Sequence, residues 1–183
     1  MKKRIIRIAA VIVLALTSQL SMAQTGNPNA KLAQKSTEVL DKMIKKTPSL
    51  QSYYNQSYGY AIFPKVTKGA MSIGGAGGKG VVYKNHEIVN AAKLRQLTVG
   101  FQFGGQQYSE VIFFQNEEAF EQFMNEKAKF NGQVSAVALK AGASADVSYS
   151  YGVAIFTQAI GGLMYEASIG VQCFLPTNQS ASK

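Results

Sequence analysis

The sequence predicts an α+β domain with two main helices and a strongly curved, mainly antiparallel sheet, open or closed into a barrel. Three observations predict it. Apolar, β-branched and aromatic runs recur between residues 61 and 174 with short polar or small-residue breaks, the spacing of antiparallel neighbours. Only two stretches keep apolar residues at helical spacing. Glycine, alanine and serine also fall inside the strand-like runs, where they allow sharp bends or the close approach of a second backbone.

The chain opens on a targeting segment. Lys2, Lys3, Arg4 and Arg7 form a basic region, residues 8–16 an apolar run too short to span a membrane comfortably, and Ser21-Met22-Ala23 a small-residue cleavage site. Residues 1–23 are thus expected to leave as a signal peptide, and residues 24–183 to form a single domain with its core at about 31–176. Asn27 and Pro28 start the first helix, with Leu32, Ser36, Val39, Leu40, Met43 and Ile44 on one apolar stripe. Thr47-Pro48 ends it. Residues 49–57 read as a short helix or turn, and Lys84-Asn85-His86-Glu87 as a turn.

Strands are expected at residues 88–90, 94–103 and 106–115, with Gly104-Gly105 turning between the last two. Asn116 caps the second helix, which buries Phe120 and Phe123 and runs to Lys127 or Ala128 before Asn131-Gly132. Residues 134–140, 145–150, 153–156 and 163–174 complete seven or eight strands. Residues 151–170 repeat residues 58–77 without gaps at an offset of 93, matching at eight of twenty positions. This internal pseudo-repeat reads as two equivalent strand–loop–strand units in one sheet system.

Most catalytic and cofactor chemistry is excluded. Gly75-Ala76-Gly77-Gly78-Lys79-Gly80 matches a dinucleotide fingerprint, but Val81-Val82-Tyr83 continues as strand where a helix is needed. Residues 98–109 also lack the acid that would hold a ribose. His86 is the sole histidine and Cys173 the sole cysteine, so no cofactor, usual zinc site or intrachain disulfide is expected. Cys173 reads as a buried thiol, and Asp146, among small apolar residues, as structural. The protein is expected not to be an enzyme.

Three motifs resemble the SYLF domain in its exported bacterial form. They are Ala61-Ile62-Phe63-Pro64-Lys65-Val66-Thr67-Lys68-Gly69, Gly74-Gly75-Ala76-Gly77-Gly78-Lys79-Gly80-Val81-Val82-Tyr83 and Gly161-Gly162-Leu163-Met164-Tyr165-Glu166-Ala167-Ser168-Ile169-Gly170. Gly104-Gly105-Gln106-Gln107-Tyr108-Ser109-Glu110-Val111-Ile112-Phe113-Phe114 fits as well. The resemblance implies phospholipid binding with a preference for acidic lipids, and fungal members of the family add an actin-binding role.

After cleavage, 15 lysines and arginines face 10 acids, a balance of +5 that suits an anionic membrane surface. Export removes most nucleic-acid partners. Lys65, Lys68, Lys79 and Lys84 flank the glycine cluster, where exposed amides at Gly77 and Gly78 can help hold a phosphate. A hairpin folding at those glycines would bring the two lysine pairs together. The alternative lipid surface is the first helix, through Lys42, Lys45 and Lys46. A second function class is a protein-interaction module contacting an envelope partner through Tyr53, Tyr54, Tyr58 and Tyr60 or an edge strand. The expected form is a periplasmic or secreted monomer, peripherally membrane-associated. N-terminal sequencing of the exported form should read from Gln24, and a sequence starting at Met1 would overturn the targeting assignment.

Overall fold

The computed structural model describes residues 28–125, 129–131, 137–138 and 148–177. The chain divides into two compact units, Met1–Lys31 and Leu32–Lys183. Of the first, only the opening of one helix is described, and every other described residue belongs to the second. The targeting segment, the strand expected at 145–150 up to residue 147, and Asp146 lie outside the described residues.

Helix α1 (Pro28–Lys46) starts at its proline and stops before Thr47-Pro48. Ser36, Leu40 and Met43 are buried on its stripe, and the Ser36 hydroxyl donates to the Leu32 carbonyl at 2.9 Å, so its burial leaves no unmet donor. Residues 49–57 contain helix α2 (Leu50–Gln56), which buries Leu50 and Tyr53 and raises the helix number to three among the described residues. Helix α3 (Glu117–Asn125) is capped as expected, the Ala119 amide donating to Asn116 Oδ1 at 2.9 Å. Its described part ends at Asn125, the expected end at Lys127 or Ala128 lies outside the described residues, and strand β3 (Lys129–Asn131) follows.

Among the described residues the strands are fewer and longer than the sequence indicates. Strands β1 (Gly59–Lys84), β2 (Glu87–Phe114) and β5 (Val153–Thr177) are each continuous, joined in the sheet by β3 and β4 (Val137–Ala138). Gly104-Gly105 therefore does not turn the chain, and neither does the glycine cluster of β1. The first tight turn is at Asn85 and His86, both with positive φ (50° and 66°), the geometry of a two-residue hairpin loop. The sheet order is β1-β2-β5-β3, with β4 also on β5. All these pairings are antiparallel except β4 with β5, and the described strands form an open sheet rather than a barrel.

Fully extended, the 28 residues of β2 would reach about 90 Å at about 3.3 Å each. The sheet bends instead. Pro64 has no amide for the ladder, the β1–β2 register shifts between Phe63 and Val66, and the buried Ser109 hydroxyl donates to the Pro64 carbonyl at 2.9 Å. Further register shifts fall at Met71/Ile73 and Gln107/Tyr108. The end of β1 is thereby laid over its beginning. A Cβ on Gly80 would stand 2.6 Å from the Ile62 carbonyl, and one on Gly78 2.9 Å from that of Lys65.

Two apolar cores result. The first gathers Ala61, Phe63 and Val66 with Ala76, Val82, Ala92 and Leu94 from the overlaid end, closed by Phe120 and Phe123 of α3. The second lies on the opposite face, where Tyr60, Ile62, Tyr83, Phe113 and Phe156 meet Leu40 and Met43 of α1 and Leu50 and Tyr53 of α2. Each fully buried phenylalanine contributes on the order of 1.5–3 kcal/mol.

The two matching segments are parts of continuous strands, not strand–loop–strand units. Both flank β2, but one residue out of step: Ala61 and Ile155 sit across from Ile112, whereas the sequence match pairs Ala61 with Ala154. Matching residues therefore face opposite sides, Phe63 in the first core and Phe156 in the second.

The overlaid backbones make the glycine requirement position-specific. Gly80→Ala should cost about 1–3 kcal/mol through forced backbone displacement. Gly77→Ala, exposed and 3.8 Å from the Leu94 carbonyl, should stay within about 0.5 kcal/mol. Urea denaturation of both variants checks this, and equal midpoints would contradict the overlay.

Candidate functional site

The overlay does for the lysines what a hairpin was expected to do, but for only two of the four. Lys65, near the start of β1, and Lys79, near its end, line one groove of about 440 Å³. Its floor is apolar, with Leu32 and Val39 of α1, Pro64 and the exposed Ile160, and Lys35 of α1 adds a third ammonium. Glu38, which accepts a hydrogen bond from Gln34 at 3.1 Å, is its one acid.

The other sequence-selected residues lie elsewhere. Lys68 is buried and lines a separate hollow with Thr67, Gly105, Gln106, Gln107 and Gly161. Lys84 stands at the far end of β1, its ammonium 3.7 Å from Glu117 and 4.9 Å from the centre of the Tyr58 ring. Gly78 is packed on the Lys65 backbone, so it shapes the groove from beneath. Gly77 is exposed and sits across from Arg95. Lys42, Lys45 and Lys46 are exposed on α1, and Lys45 borders a different hollow.

Sequence reading missed two cations. Lys93 lies directly across from Lys79, and Arg95 two residues further along the same face. All three are exposed. Like charges directly opposite one another destabilise a sheet, so this pair carries a repulsion that an anion would relieve. Gly75 and Gly77 leave the surface bare across from Leu97 and Arg95, and Leu97 is 61% exposed. The alternation Lys93-Leu94-Arg95 was the available signal, since Leu94 is buried and its neighbours must point outward. What hid it was the unknown register that sets Lys93 against Lys79.

Lys84 is held within a structural contact. The Tyr58 hydroxyl donates to Glu117 at 2.5 Å, and the same phenol, with Glu117 and Glu121, raises the Lys84 pKa above 10.5 against an opposing effect of desolvation. A lysine so raised contributes stability that is complete below its unfolded pKa and is lost as pH rises through the folded value. Glu117→Gln should therefore lower the thermal midpoint by a small, constant amount between about pH 7 and 9, and the difference should close above about pH 10.5. Thermal melts across that range check it, and a gap unchanged at high pH would assign the effect to something other than the ion pair.

Among the described residues no helix is long and apolar enough to cross a membrane. The chain is 26% identical over 132 residues to Beta cell expansion factor A of Aeromonas veronii, a match covering 71% of this chain. The match covers 50% of that protein, so the chain spans about half the length of the curated relative. Residues 95–177, which hold most of β2 and all of β5, match the family described as Ysc84, Las17-binding protein actin regulator. This match agrees with the resemblance of the sequence motifs to the SYLF domain.

Proposed function

We propose that this is a non-enzymatic phospholipid-binding domain of the bacterial envelope that docks on anionic membrane surfaces. The observation that carries the reading is the Lys79–Lys93 cross-strand pair, with Arg95 beside it, Lys79 also lining the groove with Lys35 and Lys65. Ammonium and guanidinium groups there surround bare backbone and an apolar floor, and Leu97 and Ile160 stand exposed at the same surface. An anionic head group would relieve the charge repulsion while acyl or glycerol carbon covers the apolar residues. Each cation near such a surface adds about 1 kcal/mol, so these five give reversible adhesion. The family supports the reading, and the basic leader supports export to the periplasm or beyond as a peripherally bound monomer. The match at an offset of 93 supports reading β1 and β5 as copies of one segment.

Co-sedimentation with neutral and anionic vesicles over a salt series tests this. Replacing Lys65, Lys79 and Lys93 together by Gln should abolish binding to anionic vesicles and leave the thermal midpoint unchanged or slightly raised. Replacing Lys42, Lys45 and Lys46 should leave binding intact. The reverse outcome would move the contact to α1.

A second reading is a protein-interaction module with an envelope partner. Two observations favour it: the family description names an actin regulator, and Ile88 and Val89 beside the β1–β2 turn are exposed. Binding to anionic vesicles that survives both triple substitutions, with no salt dependence, would bring it forward.

A further inference from the structure

A second hollow beside α1 has a different chemistry from the basic groove. It measures about 410 Å³ and lies toward the β1–β2 turn, walled by Tyr54, Tyr60, Tyr83 and His86, with Asp41 and Lys45 on the helix side. The rings form one continuous aromatic wall. Tyr60 and Tyr83 stack at 4.8 Å and 15°, Tyr54 tilts against Tyr60 at 5.3 Å, and His86 lies 4.6 Å from Tyr54.

One polar group here is buried without a partner, and an exposed carboxylate stands beside it. The Tyr83 hydroxyl is buried and has no hydrogen-bond partner among the described residues. Burial pushes its pKa up, which the Thr37 and Ser36 hydroxyls only partly offset, their protons being donated to the Ala33 and Leu32 carbonyls, so the phenol stays neutral at physiological pH. Asp41 forms no hydrogen bond or ion pair among the described residues. A phenol oxygen accepts hydrogen bonds, a carboxylate only accepts, and tyrosine faces carry negative potential. All three requirements are met by one kind of group, a cation bearing N–H donors. A metal ion would need more oxygen ligands than Asp41 and the phenol supply.

We propose that this hollow binds an organic ammonium ion. The protonated amine donates to the Tyr83 oxygen, its charge faces Asp41, and its carbon skeleton lies along the tyrosine wall. Lys45, one turn beyond Asp41, also lines the hollow, and its charge disfavours a second ammonium on the ligand. The site is independent of the anion-binding groove, which holds none of these side chains.

Calorimetric titration of the full chain with benzylammonium, and with benzyl alcohol as the neutral analogue of like shape, tests the proposal. Benzylammonium should bind with one-to-one stoichiometry and about tenfold more tightly than the alcohol, the preference a cation–π and carboxylate site provides. Asp41→Asn, at an exposed position that leaves the fold intact by circular dichroism, should erase that preference. Tyr83→Phe should weaken the ammonium alone. Gln at Lys65, Lys79 and Lys93 should change nothing here, so failure of the lipid reading and failure of this one are separable. Equal binding of both compounds, no binding of either, or an Asp41→Asn variant that keeps the preference would each overturn it. Free and lipid-borne amines share this chemistry. An Asp41→Asn loss that extends to phosphatidylethanolamine vesicles would identify a head group, and a loss confined to benzylammonium a free amine.

Discussion

The approach of Gly78 and Gly80 to the backbone of residues 62–65 determines what this sheet can be. A β-branched or even an alanine side chain at Gly80 would strike a carbonyl oxygen and a phenylalanine ring at under 3 Å. With hydrogen in its place, the two ends of β1 pack backbone to backbone. Strands far longer than a small domain can hold straight are thus folded over, and the apolar side chains of both ends, Phe63 and Val66 with Val82 and Leu94, share one core. The same contact carries Lys79 to Lys65. The stability of the core and the position of the cations therefore have one cause.

A second constraint comes from the single-residue difference in register between β1 and β5 against β2. Because side chains alternate across a strand, one step reverses every face. Ala61 and Phe63 point into the first core, Ala154 and Phe156 into the second, and Ile62 and Ile155 do the opposite. The sheet is consequently apolar on both faces where the matching segments flank β2. Neither face can be left in water, and the molecule answers with α3 on one side and α1 with α2 on the other. The three described helices cover this half of the sheet. Toward the far half of β1 and β2, the outer face turns to Lys79, Lys93 and Arg95, with Gly75 and Gly77 between.

The helices were legible because their information is local. The stripe from Leu32 to Ile44, the cap at Asn116 and the stop at Thr47-Pro48 are each decided within a few residues. The class of the sheet was legible from the same kind of pattern. Its continuity was not, because glycine pairs have two uses that a sequence does not distinguish. At Gly104-Gly105 and at the β1 cluster they bend a strand or admit a second backbone, whereas the chain reverses at Asn85-His86 without a glycine. The lysines show the consequence. Lys65 and Lys79 do meet, though by overlay instead of a hairpin, while Lys68 is buried and Lys84 is engaged by Glu117. Lys93 and Arg95 were invisible because their place depends on register, which is a property of two strands and not of one.

Helix α1 separates two surfaces of opposite chemical preference. Its residues 32, 35, 38 and 39 turn toward the groove of Lys65 and Lys79, and its residues 37, 41, 44 and 45 toward the tyrosine wall. On the first side, three ammonium groups outnumber one carboxylate, and the backbone beneath is bare or apolar. On the second, one carboxylate stands with the tyrosine rings and a buried hydroxyl, and a single ammonium lies one helical turn away. An anion gains on the first side and meets π-density on the second, and an amine finds the reverse. A membrane offers both charges within one head-group layer. If both proposals hold, an anion site and an ammonium site lie on either side of one helix, an arrangement that suits a zwitterionic surface rich in acidic lipid.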